Sequence, residues 1–254
     1  MRTIQITSEK PSIQMQNTSD SFQREKTIIS TTSPTVKKGV SRLLTYQWWK
    51  YVFDRVFALF ALVILSPMLA LIAIAIKLDS KGNAIYRRKQ VAENGKIFTA
   101  YKFRTMYTNN SDYEYKAYLV RYITEDAPYK IDQNGQAIYK VVEDPRVTRF
   151  GAILRETNLD ELPQLFNMLK GEMSLIGPRP DIPFAVKMYK DWHWERLSVK
   201  PGITGLWQVQ RRKQLSFDDM VHLDIDYIKR QSPLLDAKIA LLTLAVFLRK
   251  DGSR

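Results

Sequence analysis

Residues 155–180 read RETNLDELPQLFNMLKGEMSLIGPRP. Within this stretch Leu162, Leu165, Phe166 and Leu169 recur at helical spacing. Proline is tolerated in the first turn of a helix, where the N–H it lacks has no partner. Pro163 therefore predicts a helix start at about residue 160, with Asn158 as its cap and Gly171 at its stop. Asp160 and Glu161 then stand on the N-terminal end. Acidic residues there suit the helix dipole, and that alone accounts for most Asp-Glu pairs. The surroundings say more. Arg155 precedes the pair, and Gly177-Pro178-Arg179-Pro180 follows, two prolines stiffening the backbone around one arginine. A held guanidinium binds phosphate oxygens in a bidentate fork. Two acids with rigid arginines nearby make a composition suited to phosphoryl transfer.

The bulk numbers narrow the partners. The chain has 254 residues and a net charge of +13, so its partners are expected to be anionic: nucleic acid, a membrane surface or phosphorylated ligands. It has no cysteine, which excludes disulfides and thiolate metal sites. Two histidines, His193 and His222, are too few for a His-rich metal centre, leaving a hard cation held by carboxylates as the metal chemistry open to it.

Residues 1–45 are rich in Ser, Thr, Gln and Lys and predict a disordered or flexible arm, too polar to offset its own ordering entropy. Residues 56–76, VFALFALVILSPMLALIAIAI, carry no charge. A straight helix of that length measures about 31 Å, enough to span a bilayer core. Ser66-Pro67 lies at its centre, where proline breaks a backbone bond. Lys50 and Arg55 precede this segment and Lys77, Lys81, Arg87, Arg88 and Lys89 follow it. Basic flanks on both sides are most simply satisfied when both stay on the cytoplasmic side. Two readings follow: a helix-break-helix that dips into one leaflet over 46–80, or an ordinary kinked span.

Residues 83–106 predict two strands around the Glu93-Asn94-Gly95 turn, with Lys102 and Arg104 on the second strand's exit. A helix is predicted over YEYKAYLVRYI, with Tyr113, Tyr115, Tyr118 and Tyr122, followed by a polar loop containing Asn134-Gly135. Asp144-Pro145-Arg146-Val147-Thr148-Arg149 leads into a short helix ending near Arg155. Residues 184–198 predict one helix, in which the lone His193 reads as structural. Residues 234–248 are short and interrupted by Asp236 and Lys238, which suits an interfacial helix or a core helix.

The run LDELPQLFNMLKGEMSLIGPRP resembles the core motif of the bacterial sugar transferases, monotopic polyprenyl-phosphate phosphoglycosyltransferases that start glycan assembly on a lipid carrier. The similarity extends from about Trp48 to Leu248. It implies an α+β, helix-dominated, membrane-associated protein. The elements implied are a re-entrant N-terminal helix broken at Ser-Pro, a small β-hairpin and interfacial amphipathic helices, with a catalytic domain over 81–254 on the cytoplasmic face of the bacterial inner membrane. The implied reaction moves a sugar 1-phosphate from a UDP-sugar to undecaprenyl (polyprenyl) phosphate and releases UMP. It initiates exopolysaccharide, capsule, O-antigen or glycoprotein glycan assembly.

Carried onto this sequence, Asp160 is the nucleophile of a covalent phosphosugar intermediate, ionised at neutral pH, and Glu161 holds Mg²⁺. Arg155 and the Pro178-Arg179-Pro180 turn bind phosphate or orient the acids. The YKFRTM run puts Lys102 and Arg104 near the substrate phosphates. Arg212 keeps a family arginine although Arg211 replaces the usual preceding glycine, and Ala92 stands where the family often has glycine. Asp224 matches an acidic position that supports the site. The implied partners are the nucleotide sugar, the polyprenyl phosphate and membrane lipids, not nucleic acid, with a homodimer left open. Two other classes compete: a basic membrane-tethered protein binding anionic lipid or nucleic acid, and a nucleotide-sugar hydrolase.

Overall fold

The structure, a computed structural model, describes residues 37–108, 112–131, 133, 135–139, 144–210 and 215–248. Residues 1–45 and 46–254 form separate units, and the account below concerns the second. Most of the expected N-terminal arm, together with Asn134 and Arg212, lies outside the described residues.

The first element, α1, runs Lys37–Asp79. Its Tyr46–Asp79 stretch is long and apolar enough to cross a membrane. The predicted break at Ser66-Pro67 does not interrupt it, since Pro67 lies inside a continuous helix. The cause is local. Pro67 cannot donate to the Val63 carbonyl one turn back, and the Ser66 hydroxyl donates to that carbonyl instead, at 2.8 Å. One flank of α1 is buried: Ala58 and Leu62 pack with Leu165 and Met168, while Ile72 and Ile76 pack with Phe103 and Leu154. The other flank leaves Phe60, Ile64, Leu71 and Leu78 exposed. A helix apolar all round with one covered side leaves an exposed apolar face of the kind that meets a membrane or a partner protein.

Strands β1 (Ile85–Val91) and β2 (Ile97–Phe103) pair antiparallel, with Tyr86 opposite Lys102. The Asn-Gly turn expected between them is present. Asn94 (φ 57°) and Gly95 (φ 74°) both take the left-handed conformation that such residues tolerate. Helix α2 (Tyr113–Thr124) buries Tyr118 and Tyr122 against Phe217 and Val221, with Tyr115 packed at the edge, so three of the four tyrosines serve packing. Part of the expected polar loop folds as a two-residue ladder, β3 (Lys130–Ile131) with β4 (Ala137–Ile138). Helix α3 (Arg149–Glu156) starts at Thr148, whose hydroxyl accepts from the Gly151 N–H.

The acidic segment differs from its expected shape. Leu159–Gln164 is a 3₁₀ helix that passes into α4 (Leu165–Leu169). The i→i−3 bond from Glu161 N to Asn158 O tightens this start. Asn158 does not cap with its side chain; it adopts φ 51° and turns the chain between α3 and the 3₁₀ helix. Gly171 (φ 77°) ends the segment as expected.

Strands β5 (Ser174–Ile176) and β6 (Gly202–Thr204) pair in parallel. The helix predicted over 184–198 is two pieces, α5 (Pro183–Val186) and a 3₁₀ helix (Asp191–Leu197). A short α6 (Leu206–Val209) leads to α7 (Phe217–Arg230) and α8 (Pro233–Leu248). Helix α8 buries Ile239 against Tyr227 and Ile176, yet leaves Leu234, Leu241 and Leu244 exposed. The molecule is helix-dominated α+β with three two-stranded sheets among the described residues.

Candidate active site

The site forms where β2 crosses the 3₁₀ helix that carries the acidic pair. Lys102, near the end of β2, donates from Nζ to Glu161 Oε1 at 2.6 Å. Arg179, from the loop after β5, donates to the same oxygen at 2.7 Å and reaches Oε2 at 3.4 Å. Two expected site residues thus converge on the second acid rather than standing free. Among the described residues, no hydrogen bond reaches the carboxylate of Asp160, although Lys102, Arg179 and Arg155 lie within electrostatic range.

The two acids therefore separate in character. Burial pushes the Asp160 carboxyl up from the ordinary carboxylate range. Lys102, Arg179 and Arg155 pull it back and Glu161 adds to the rise. The downward pull expected from the arginines is thus outweighed. At Glu161 burial also acts upward, but the cations and hydrogen bonds of Arg179 and Lys102 outweigh it and hold the carboxyl at about 2. Burial and the Arg179 charge lower Lys102, against the pull of both acids. Neighbouring groups whose environments drive their ionisation apart are a mark of divided acid and base roles.

Arg155 is anchored by its Nε, which donates to the Thr105 hydroxyl at 2.9 Å. Arg146 is occupied by Asp144, at 2.8 Å from both Nε and an NH2 group. Tyr115 lies within electrostatic range of Arg155 and Arg179, and Arg88 stands 5.4 Å over its ring. That places the first turn of α2 beside the site.

The Pro178-Arg179-Pro180 turn is held from behind by an arginine that no spacing in the sequence singles out. Arg196 is buried and donates to four oxygens. They are Asp181 Oδ2 at 2.6 Å, the Tyr189 hydroxyl at 3.0 Å, Asp224 Oδ2 at 2.6 Å and the Arg179 carbonyl at 3.0 Å. Asp224 thus lies behind the turn through Arg196. Its complete burial drives its carboxyl up to about 6, against the opposing pull of Arg196. On the other side of the turn, the Gln90 side-chain amide donates to the Pro180 carbonyl at 3.4 Å. His193 is structural. Its Nδ1 accepts from the Lys190 N–H at 3.1 Å, which leaves Nε2 to donate to Asp218 at 3.0 Å.

Arg104 stands apart from the acids. Its guanidinium donates to the carbonyls of Ile76, Ser80 and Lys81, closing the C-terminal end of α1. A cation there satisfies orphan carbonyls and the negative end of the helix dipole.

No cluster of three or more metal-ligating side chains occurs among the described residues. Mg²⁺ needs none, since one or two carboxylates with phosphate oxygens and waters complete its shell. Glu161 and Asp160 supply hard oxygen donors of that kind. Because Lys102 and Arg179 hold Glu161, the pair fits the ion when phosphate oxygens take over those cations.

In comparison with known proteins, residues 45–250 match the family described as bacterial sugar transferase. An undecaprenyl-phosphate galactose phosphotransferase of Salmonella typhimurium is 39% identical over 207 residues, which are 82% of this chain and 42% of that protein. The exopolysaccharide production protein ExoY of Rhizobium meliloti is 35% identical over 204 residues, 80% of this chain and 87% of the relative. The UDP-glucose:undecaprenyl-phosphate glucose-1-phosphate transferase of Escherichia coli is 34% identical over 215 residues, 81% of this chain and 40% of that protein. The chain thus spans about two fifths of the length of the first and third of these relatives.

Proposed function

This chain belongs to the bacterial sugar transferase family, and on that premise we propose that it transfers a sugar 1-phosphate from a UDP-sugar to undecaprenyl phosphate through Asp160. The observation that carries the proposal is the asymmetry of the acidic pair. Glu161 is held by Lys102 and Arg179. Asp160, beside it, keeps a carboxylate to which no described residue donates a hydrogen bond. A carboxylate nucleophile divides one hard displacement into two easier steps. In the first, an Asp160 oxygen attacks the phosphorus that bears the sugar, and UMP leaves. In the second, a phosphate oxygen of the acceptor takes the phosphosugar and Asp160 is released.

Around that step Arg179 and Lys102 turn from Glu161 toward the diphosphate and neutralise it, which lets an anion approach. Arg155, fixed by Thr105, holds the field beside Asp160. Glu161, with its cations drawn away, would hold Mg²⁺, which when bound screens the diphosphate charge. The exposed apolar flank of α1 meets lipid, and the basic residues before and after it anchor it at the headgroup level. The lipid-borne acceptor then meets the site at the headgroup level.

The test is membrane-bound protein supplied with undecaprenyl phosphate and Mg²⁺, a panel of UDP-sugars, and a readout of UMP. One sugar should give sustained UMP release that requires the lipid. Sustained release without lipid would instead identify a nucleotide-sugar hydrolase.

A further inference from the structure

The reaction proposed above needs a second substrate, and the acidic pair by itself does not show where it enters. A separate cavity of about 600 Å³ lies where α1 ends and β1 begins, lined by Asn83, Tyr86, Arg87, Arg104 and Thr108 among others. That volume is in the range of small-molecule sites.

Four features of this cavity point to one ligand chemistry. The first is charge, since two arginines line it and no carboxylate does. Arg104 is 6% exposed and its terminal nitrogens are taken by carbonyls, so Arg87 is the exposed cation of the lining.

The second is position. Arg104 closes the last turn of the apolar helix, so the cavity floor is tied to the end of the membrane segment. Gly82 (φ 124°) lets the connecting loop lie against that floor. A Cβ there would meet Arg104 NH1 at 2.1 Å and Thr108 Cγ2 at 2.9 Å.

The third is the rim. Ile85 and Tyr86, both in the lining, are 36% and 47% exposed, an apolar border on the β1 side. The fourth is continuity. Tyr86 is the cross-strand partner of Lys102, so both side chains leave the same face of the ladder. Lys102 in turn reaches Glu161 at 2.6 Å.

A ligand matching all four has an anionic head and an apolar tail lying along the membrane helix. We propose that this cavity receives the phosphate of the polyprenyl acceptor and presents it, along the Tyr86–Lys102 face, to the phosphosugar on Asp160. This rests on the reaction assigned above. The acceptor is a phosphate monoester, a dianion above its second pKa of about 6. One of its oxygens attacks the phosphorus held by Asp160. A P–O–P bond forms, the P–O bond to Asp160 breaks, and the electron pair returns to the Asp160 carboxylate. No proton or oxidant is required.

The two half-reactions can be measured separately on the full chain in lipid nanodiscs. Without acceptor, the donor half-reaction gives a burst of about one UMP per active site. With acceptor, turnover gives a KM for polyprenyl phosphate. Arg87→Gln and Tyr86→Leu alter exposed side chains of the cavity that take no part at the acidic pair. Each should leave the burst intact and raise the acceptor KM about tenfold, as expected for losing one interaction with a charged group.

An unchanged acceptor KM in both variants overturns the proposal, as does an equal loss of the burst. A third arm varies phosphatidylglycerol in the nanodisc. If that lipid raises the acceptor KM of the parent chain but not of Arg87→Gln, the cavity holds bulk phospholipid headgroups and the assignment fails. Absence of a burst in the parent chain would instead count against the covalent mechanism, independently of the cavity.

Discussion

Lys102 Nζ lies 2.6 Å from Glu161 Oε1, joining the end of β2 to the 3₁₀ turn that carries the acidic pair. Arg179 meets the same oxygen at 2.7 Å. Together these contacts hold two cations beside Asp160, within reach of any diphosphate that approaches it. They also fix Glu161 in the charged form, while burial acts the other way on Asp160.

Glu161→Gln removes the anion that holds both cations. The expected result is a fall in kcat of about 100-fold with no rise in the KM for the nucleotide sugar, because Lys102 and Arg179 are released to phosphate. Stability should respond to pH as well. The Glu161 carboxyl is lowered from 4.5 to about 2, so its contribution is complete above pH 4.5 and is lost as pH falls toward 2. Thermal melts of the parent chain across that window should show the loss, and those of Glu161→Gln should lack this component.

Lys102→Met takes away the largest force opposing the rise of Asp160. The Asp160 carboxyl then moves further up. The acid limb of the kcat profile should shift to higher pH, measured as UMP release between pH 5 and 8. An unmoved acid limb would show that Asp160 ionisation does not govern the rate.

Arg196→Gln and Asp224→Asn are expected to differ sharply. The first leaves Asp181 and Asp224 without their cation and should cost about 3–5 kcal/mol. The second leaves Arg196 paired with Asp181 and should cost less. The Asp224 carboxyl is raised from 3.8 to about 6, so the folded state binds its proton more tightly than the unfolded chain does. Stability from this group is therefore greatest below about pH 4 and declines as pH rises to 6. Asp224→Asn should remove that decline, as followed by denaturant melts at each pH.

Arg104→Gln should lower the melting temperature by about 5 °C or more, through loss of charge-assisted bonds to carbonyls in and just after the last turn of α1. The donor burst of the folded fraction should persist, since Arg104 does not touch the acids.

Much of this arrangement was legible from local chemistry. The Asn94-Gly95 hairpin, the Gly171 stop and the acidic pair near a helical start follow from backbone preferences that short stretches declare. The rest depends on partners far away in the sequence. Arg104 lies in the same YKFRTM run as Lys102. Yet the two are spent on different elements, because the carbonyls of Ile76, Ser80 and Lys81 lie at one and Glu161 at the other. Ser66 rescues the carbonyl that Pro67 orphans, so a predicted break became a continuous helix. Arg196 gave no signal in sequence, since its four acceptors come from three separate places in the chain, the 179–181 turn, Tyr189 and Asp224.

The most direct measurement concerns Asp160 itself. Protein in bilayers is incubated with radiolabelled UDP-sugar without acceptor, quenched, digested and analysed by mass spectrometry. The account predicts a phosphosugar adduct on the peptide containing Asp160, discharged by adding polyprenyl phosphate, and no adduct in Asp160→Asn. An adduct on another residue, or full glycolipid synthesis by Asp160→Asn, would contradict it.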